Sequence, residues 1–251
     1  MKLICQCSIL ILAFAAIATG CRKDAVSPDV IADSLSVGYM PAIKGMKLTY
    51  HGTGGEILTG DVINAYDSAG FRVAIQHWNV AGLQYDFLSR YNNESTVIVK
   101  DTRSQYYATL QLIASQPDIT ELSNKISPFI VTLPHQDAVG TVPCQETQIA
   151  EYHFLISDDS DHSVEIDFIG TYPQGTLDTV ENVTVPAGTF KSLKVHYTGT
   201  LVFNTSGGQA RPPVQLDFTE WYARGIGLVR MSETTSLGEV LRYDLNEIKG
   251  L

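Results

Sequence analysis

The chain has 251 residues, of which 44 % are hydrophobic and 18 % charged, with a formal net charge of −10. Such acidity argues against nucleic acid as a partner, since that surface rewards clustered Lys and Arg, and against electrostatic adhesion to anionic headgroups. The length suits one large β domain or two small ones.

The N-terminus reads as a bacterial lipoprotein signal. Lys2 gives a positive start, Ile9–Ile17 a short apolar core, and Ala18-Thr19-Gly20 lead into Cys21. The apolar run is too short to span a bilayer stably, and its order is that of a secretory signal. Ala18 stands where Leu is more usual. Residues 1–20 are therefore expected to be cleaved, leaving Cys21 as a lipidated N-terminus carrying diacylglycerol and palmitate. More than one acyl chain satisfies the requirement for stable anchoring. The alternatives are an ordinary secretory signal with an incidental cysteine, or a membrane-anchored helix. Loss of Lys2 takes the charge to −11. Arg22, not Asp, follows the cysteine, which by enteric sorting rules favours the outer membrane. Residues 21–38 read as a polar tether with a brief helical turn near Asp29–Leu35.

A single β domain is expected over 39–251. Phe71, Val73 and Ile75 alternate with Arg72, Ala74 and Gln76, and Leu83, Tyr85 and Phe87 with Gln84, Asp86 and Leu88. Tyr106, Ala108, Leu110 and Leu112 form a further stripe. Period-two alternation sets one face on a core. Turn signals fall at Asp67–Gly70 and Asn92-Asn93. Ile119–Ile126 is the best helical window. Pro117, Pro128, Pro134 and Pro143 mark either a boundary or a long connection within one sheet.

Beyond it, Tyr152, Phe154 and Ile156 answer Val164, Ile166 and Phe168 across the acidic segment Ser157–Ser163, a hairpin pattern. Leu193–Leu201, Val214–Phe218, Ile226–Thr234 and Val240–Ile248 continue the series. Strands at this spacing predict an all-β fold.

Established catalytic and phosphate-binding motifs are missing. Gly52-Thr53-Gly54-Gly55 has no following Lys and reads as a hairpin. Asp158-Asp159-Ser160-Asp161-His162 lacks the glycine and distal Glu of a calcium loop. His51, His77, His135, His153, His162 and His196 stand singly, without metal-ligand spacing. With Cys5, Cys7 and Cys21 in the leader and acceptor, Cys144 alone remains, so no disulfide framework is expected. No cofactor and no metal are expected.

Three segments carry a resemblance: Tyr39-Met40-Pro41-Ala42-Ile43-Lys44-Gly45-Met46-Lys47-Leu48-Thr49-Tyr50, Val183–Val195 with its Val-Pro-Ala-Gly-Thr-Phe, and Glu220–Arg230 with its Trp-Tyr-Ala-Arg-Gly-Ile-Gly-Leu-Val. The first resembles the opening strand of many envelope lipoproteins, with Leu48 in place of the usual Trp. The other two resemble the DUF3108-like families of bacterial β proteins, which are similar in turn to the LolA/LolB-like carriers. The Cys-Arg-Lys-Asp start is similar to Bacteroidetes lipoproteins. The resemblance implies a strongly curved antiparallel sheet, an open or half β-barrel with at most one or two short helices.

It further implies a non-enzymatic, outer-membrane-anchored lipoprotein, periplasmic or surface-facing, that binds an apolar or lipidic ligand or an envelope protein partner. Trp221, Tyr222 and Phe168 are the candidate ligand-binding residues. A structural or assembly lipoprotein with a filled core is the second reading. An envelope hydrolase is the third, to be revived by Asp, His and Ser converging in one cleft.

Overall fold

The computed structural model describes residues 38–80, 82–100, 119–136, 139–141, 148–157, 163–172, 175–206, 212–234, 238 and 240–250. Every regular element among them is a strand. The first seven are β1 (Lys47–Gly52), β2 (Ile57–Ser68), β3 (Phe71–Val80), β4 (Leu83–Tyr91), β5 (Ser95–Lys100), β6 (Ile119–Ile126) and β7 (Phe129–Pro134). The remainder are β8 (Gln148–Ser157), β9 (Ser163–Tyr172), β10 (Thr176–Val185), β11 (Gly188–Thr205), β12 (Val214–Ala223), β13 (Gly227–Thr234) and β14 (Val240–Lys249). No helix among the described residues is long and apolar enough to cross a membrane.

All fourteen strands join one sheet, thirteen of them in the order β6-β8-β9-β11-β12-β13-β14-β1-β2-β3-β4-β5-β7, with β10 pairing on β11 beside this path. Every ladder is antiparallel. Strand β11 is long enough to serve three partners: β12 along one side, and β10 then β9 along the other. The sheet's two end strands, β6 and β7, are joined only by Ser127-Pro128. Three Cα–Cα steps span at most about 11 Å, so these ends of the sheet must meet in space. The result is the open barrel, curved but not closed.

Its concave face is the core. Trp78, Tyr50, Tyr222, Leu177 and Ile226 are all fully buried. The Tyr50 ring stacks on Trp78 at 5.3 Å, and Phe87 lies 5.1 Å from the same indole. A Cβ at Gly60 would sit 3.0 Å from that indole, so glycine on β2 makes room for it.

The segment 38–42 closes one end of the barrel and is buried throughout. Gly225 N–H donates to the Gly38 carbonyl at 2.8 Å, and Tyr39 N–H donates to Thr96 Oγ1 at 2.9 Å. Thr96 Oγ1 also meets His135 Nε2 at 2.8 Å, while the Arg224 guanidinium covers the Tyr39 ring and donates to the His135 carbonyl. Gly227 has φ +94°, and a Cβ there would strike Pro41 Cδ at 2.7 Å.

Several sequence expectations meet the structure directly. Val185 pairs with Gly188, so Pro186-Ala187 is a two-residue hairpin turn in which Pro presets φ. Gly188 and Gly225 both take positive φ. Asn92 accepts from the Glu94 and Ser95 amides through Oδ1, which builds the turn expected there. Tyr152, Phe154 and Ile156 lie opposite Phe168, Ile166 and Val164, so these six share a face as the alternation required.

Two expectations need correction. Ile119–Ile126 is strand β6, not a helix. On β3 the inward residues are Ala74, Gln76 and Trp78, while Phe71, Val73 and Ile75 are half-buried on the other face. The signal segment, Cys21 and the tether turn lie outside the described residues, as do the stripe at 106–112, Cys144 and the acidic loop Asp158–His162.

Candidate functional site

The barrel interior holds a charge where a hydrocarbon core would be expected. On β5, Thr96, Ile98 and Lys100 share the inward parity, and on β12 Phe218, Glu220 and Tyr222 do so. Those strands form opposing walls, so the two charged side chains meet across the barrel. Lys100 Nζ lies 2.5 Å from Glu220 Oε1, with side chains only 11 % and 10 % exposed.

The pair is well satisfied. Lys100 also donates to Tyr197 OH at 3.2 Å and lies over the Phe87, Phe129 and Tyr197 rings at 5.5–5.7 Å. Glu220 accepts through its other oxygen from Tyr222 OH at 2.6 Å. Burial, followed by the Glu220 charge, holds the Tyr222 phenol protonated far above the ordinary tyrosine range. Tyr50 is raised by burial and then by Tyr85 and Glu220, and its hydroxyl donates to the Leu228 carbonyl at 2.7 Å. These phenols act as fixed donors, and aromatic side chains fill the space around the ion pair.

The structure does not bring Trp221, Tyr222 and Phe168 together. Tyr222 is in the core. Trp221, its neighbour on β12, is half-buried on the outer face, where Nε1 donates to Glu181 Oε1 at 2.6 Å. Lys194 and Arg230 lie 5.8 Å from its ring centre, and Arg230 is itself paired with Asp244 at 2.5 Å. Phe168 sits on β9, half-buried, its ring 6.1 Å from that of Tyr152. Tyr152 and Phe154 stack there at 6.1 Å, apart from the main core cluster.

On the opposite face of β6, β8 and β9 lies a shallow groove of about 270 Å³ lined by Ser123, Lys125, Glu151, Tyr152, His153, Asp167 and Ile169. His153 Nδ1 is hydrogen-bonded to Asp167. Among the described residues two other cross-strand pairs of this kind occur, His77 with Asp86 at 2.8 Å and His196 with Asp217 at 3.1 Å. Among the described residues no group of three or more His, Cys, Asp or Glu is placed to hold a metal ion.

Sequence reasoning missed Lys100 and Glu220. The available signal was parity: each sits two residues beyond or before an inward aromatic or aliphatic residue on its strand.

An open antiparallel barrel with a packed, ion-paired interior is the class these features define. Residues 121–241 match the model of the DUF3108-like family. That stretch contains both the Val-Pro-Ala-Gly-Thr-Phe hairpin and the Trp221-Tyr222 segment, so the resemblance drawn from those motifs is shown. The fold is similar to the crystal structure of a candidate lipoprotein of Parabacteroides distasonis (TM-score 0.52, 15 % identity, 84 % of this chain and 98 % of that one). It is also similar to a candidate exported protein of Bacteroides fragilis with a YmcC-like fold (TM-score 0.50, 18 % identity, 84 % and 98 %). At these identities the likeness is one of fold. No curated protein matches the chain.

Proposed function

We propose that this is a lipid-anchored protein of the cell envelope, held at the outer membrane through Cys21, whose barrel serves by binding an envelope protein and not by enclosing a lipid. One observation carries the reading. The concave face that a lipid carrier would leave open is filled by Tyr50, Trp78, Phe87, Phe129 and Tyr222 around the Lys100–Glu220 pair. A lipid tail would have to displace that pair's partners, leaving buried charge unsatisfied. The lipoprotein signal and the lipoprotein and exported descriptions of the fold neighbours support the envelope setting. Trp221, outward and framed by Arg230 and Lys194, has the composition of an interface anchor.

Binding of an apolar or lipidic ligand is the second reading. It is favoured by the separate aromatic layer at Phe168, where Val164 is 39 % exposed. Native mass spectrometry of protein extracted from its host membranes separates the two. The expected spectrum shows the mass of covalent acyl chains and no further lipid. A co-purifying lipid lost on Phe168→Ala substitution would establish the second reading and overturn the first. Fractionation of Cys21→Ser tests the anchor: the variant should keep its leader or leave the membrane, and an unchanged N-terminus in the membrane fraction would refute it.

A further inference from the structure

The groove on the outer face of β6, β8 and β9 has a regular grid. Ser123 lies opposite His153, and His153 opposite Asp167; in the next row Lys125 lies opposite Glu151, and Glu151 opposite Ile169. Directly opposed residues of an antiparallel ladder share a face, with Cβ atoms about 4.5–5.5 Å apart. One row therefore carries a hydroxyl, an imidazole and a carboxylate in order across three strands.

The serine is on this face because of a bulge. Glu121 is opposite Phe154, while Ser123 is opposite His153, so β6 spends two residues where β8 spends one. Without that extra residue Ser123 would fall opposite Tyr152, on the aromatic face. Bulges re-aim side chains in this way and gather near active sites. The imidazole is also turned correctly: Nδ1 is committed to Asp167, which leaves Nε2 as the basic nitrogen. In the other two His–Asp pairs among the described residues, His77 lies opposite Asp61 and Asp86, and His196 lies opposite Thr176 and Thr219, so neither has a serine in its row.

We propose that Ser123, His153 and Asp167 act as nucleophile, general base and orienting carboxylate in the hydrolysis of small, water-soluble acyl esters. This goes beyond the binding role of the barrel and is independent of it. Ser123 Oγ turns toward Nε2 and attacks the ester carbonyl carbon, forming the Oγ–C bond as His153 Nε2 takes the hydroxyl proton. The carbonyl oxygen becomes an oxyanion, for which Lys125 is the cation of the same groove. Collapse breaks the bond to the leaving alkoxide, which departs as the alcohol with the proton from Nε2. Water repeats the sequence and releases the acid, restoring Ser123. The groove is shallow, which restricts it to short acyl groups, and Ile169 is its apolar side.

The test is covalent labelling of the purified full chain with a fluorophosphonate, located by peptide mass spectrometry, together with p-nitrophenyl acetate turnover. Ser123 should be phosphonylated in the folded protein and not in urea. Ser123→Ala should abolish labelling at that peptide. His153→Ala should slow both labelling and turnover by about 10²–10⁴-fold, the usual worth of a positioned base. Absence of label on Ser123, label on another serine, or Ser123 labelling indifferent to His153→Ala each overturns the proposal. The wild-type comparison of folded against unfolded chain needs no substitution, so a variant that fails to fold leaves the test intact. Loss of this activity would leave the envelope-binding reading untouched, and native mass spectrometry of the bound species would leave the esterase test untouched.

Discussion

Removing the ammonium from the barrel centre should expose how the interior is held. In Lys100→Met the side chain keeps most of its volume, while Glu220 loses its cation and retains only the Tyr222 hydroxyl as partner. At 2.5 Å the gross attraction is about 7 kcal/mol with an effective dielectric constant of about 20. Desolvation of both ions offsets much of it, so the net worth of the pair is far smaller than the cost of leaving one member alone. Breaking a buried pair from one side costs about 3–5 kcal/mol. For a domain of this size that lowers Tm by about 6–20 °C. The double variant Lys100→Met/Glu220→Gln should recover most of the loss, because the uncompensated carboxylate is gone. Urea denaturation of the wild type, both single variants and the double variant gives the coupling energy directly. A single-variant cost below about 1 kcal/mol, the range of an exposed pair, would refute the placement of this pair in the core. So would a double variant as unstable as the two singles summed.

Three further outcomes are expected. Burial, and then the Arg224 charge, lower the His135 pKa. The unfolded chain therefore takes up the proton first, and this part of the stability is present above about pH 6.5 and lost as pH falls toward the folded value. His135→Asn should flatten the acid limb of a denaturation series, and an unchanged slope would contradict the neutral, buried imidazole. Burial raises the Glu233 pKa, so its contribution is lost as pH rises through the folded value. Glu233→Gln should accordingly raise Tm at pH 7, whereas an equal fall at all pH values would show a structural role instead. Gly227→Ala combines a positive φ with a clash on Pro41 and should cost about 1–3 kcal/mol. Limited proteolysis should then cut near residues 38–42 first, and a protected segment would show that Gly227 does not hold it.

The parts of the fold that were legible are those where local chemistry decides. Pro186-Ala187 turns the chain, Asn92 folds its own turn, and the β8–β9 alternation fixes its register, all within a few residues. Strand β6 departs from its sequence pattern for an equally local reason. Ile119, Leu122 and Ile126 mimic a helical repeat because the bulge between Glu121 and Ser123 shifts the strand's alternation by one residue. A period-two test fails across such a shift. The face of β3 misled because the core accepts Gln76, whose Oε1 receives the Trp78 indole at 2.9 Å, while apolar Val73 and Ile75 remain half-buried outside. The ion pair was beyond local reach, since its partners are 120 residues apart and meet only when the sheet curls. The same holds for the Ser123–His153–Asp167 row, which needs both the β6 bulge and the β6–β8 pairing.

The position of that row along the barrel bears on what it can act upon. The closed end is the one at residues 38–42, beside the Ala223–Gly227 turn. From Cys21 to Gly38 the chain can extend at most about 60 Å. Under the proposed anchoring at Cys21, the described residue nearest the anchor along the chain is residue 38, at the closed end. Strand β11 leads away from it: Ser192 pairs with Ala223 at that end, and Asn204 pairs with Asp167 twelve residues further along. At about 3.3 Å per residue the groove lies up to about 40 Å from the closed end. A groove so shallow, bearing Lys125, Glu151 and Asp167, suits small polar esters and not the long acyl chains of a phospholipid. Soluble short-chain esters should therefore be turned over in preference to phospholipid vesicles, and preferential release of fatty acid from vesicles would place the catalytic group elsewhere in the molecule.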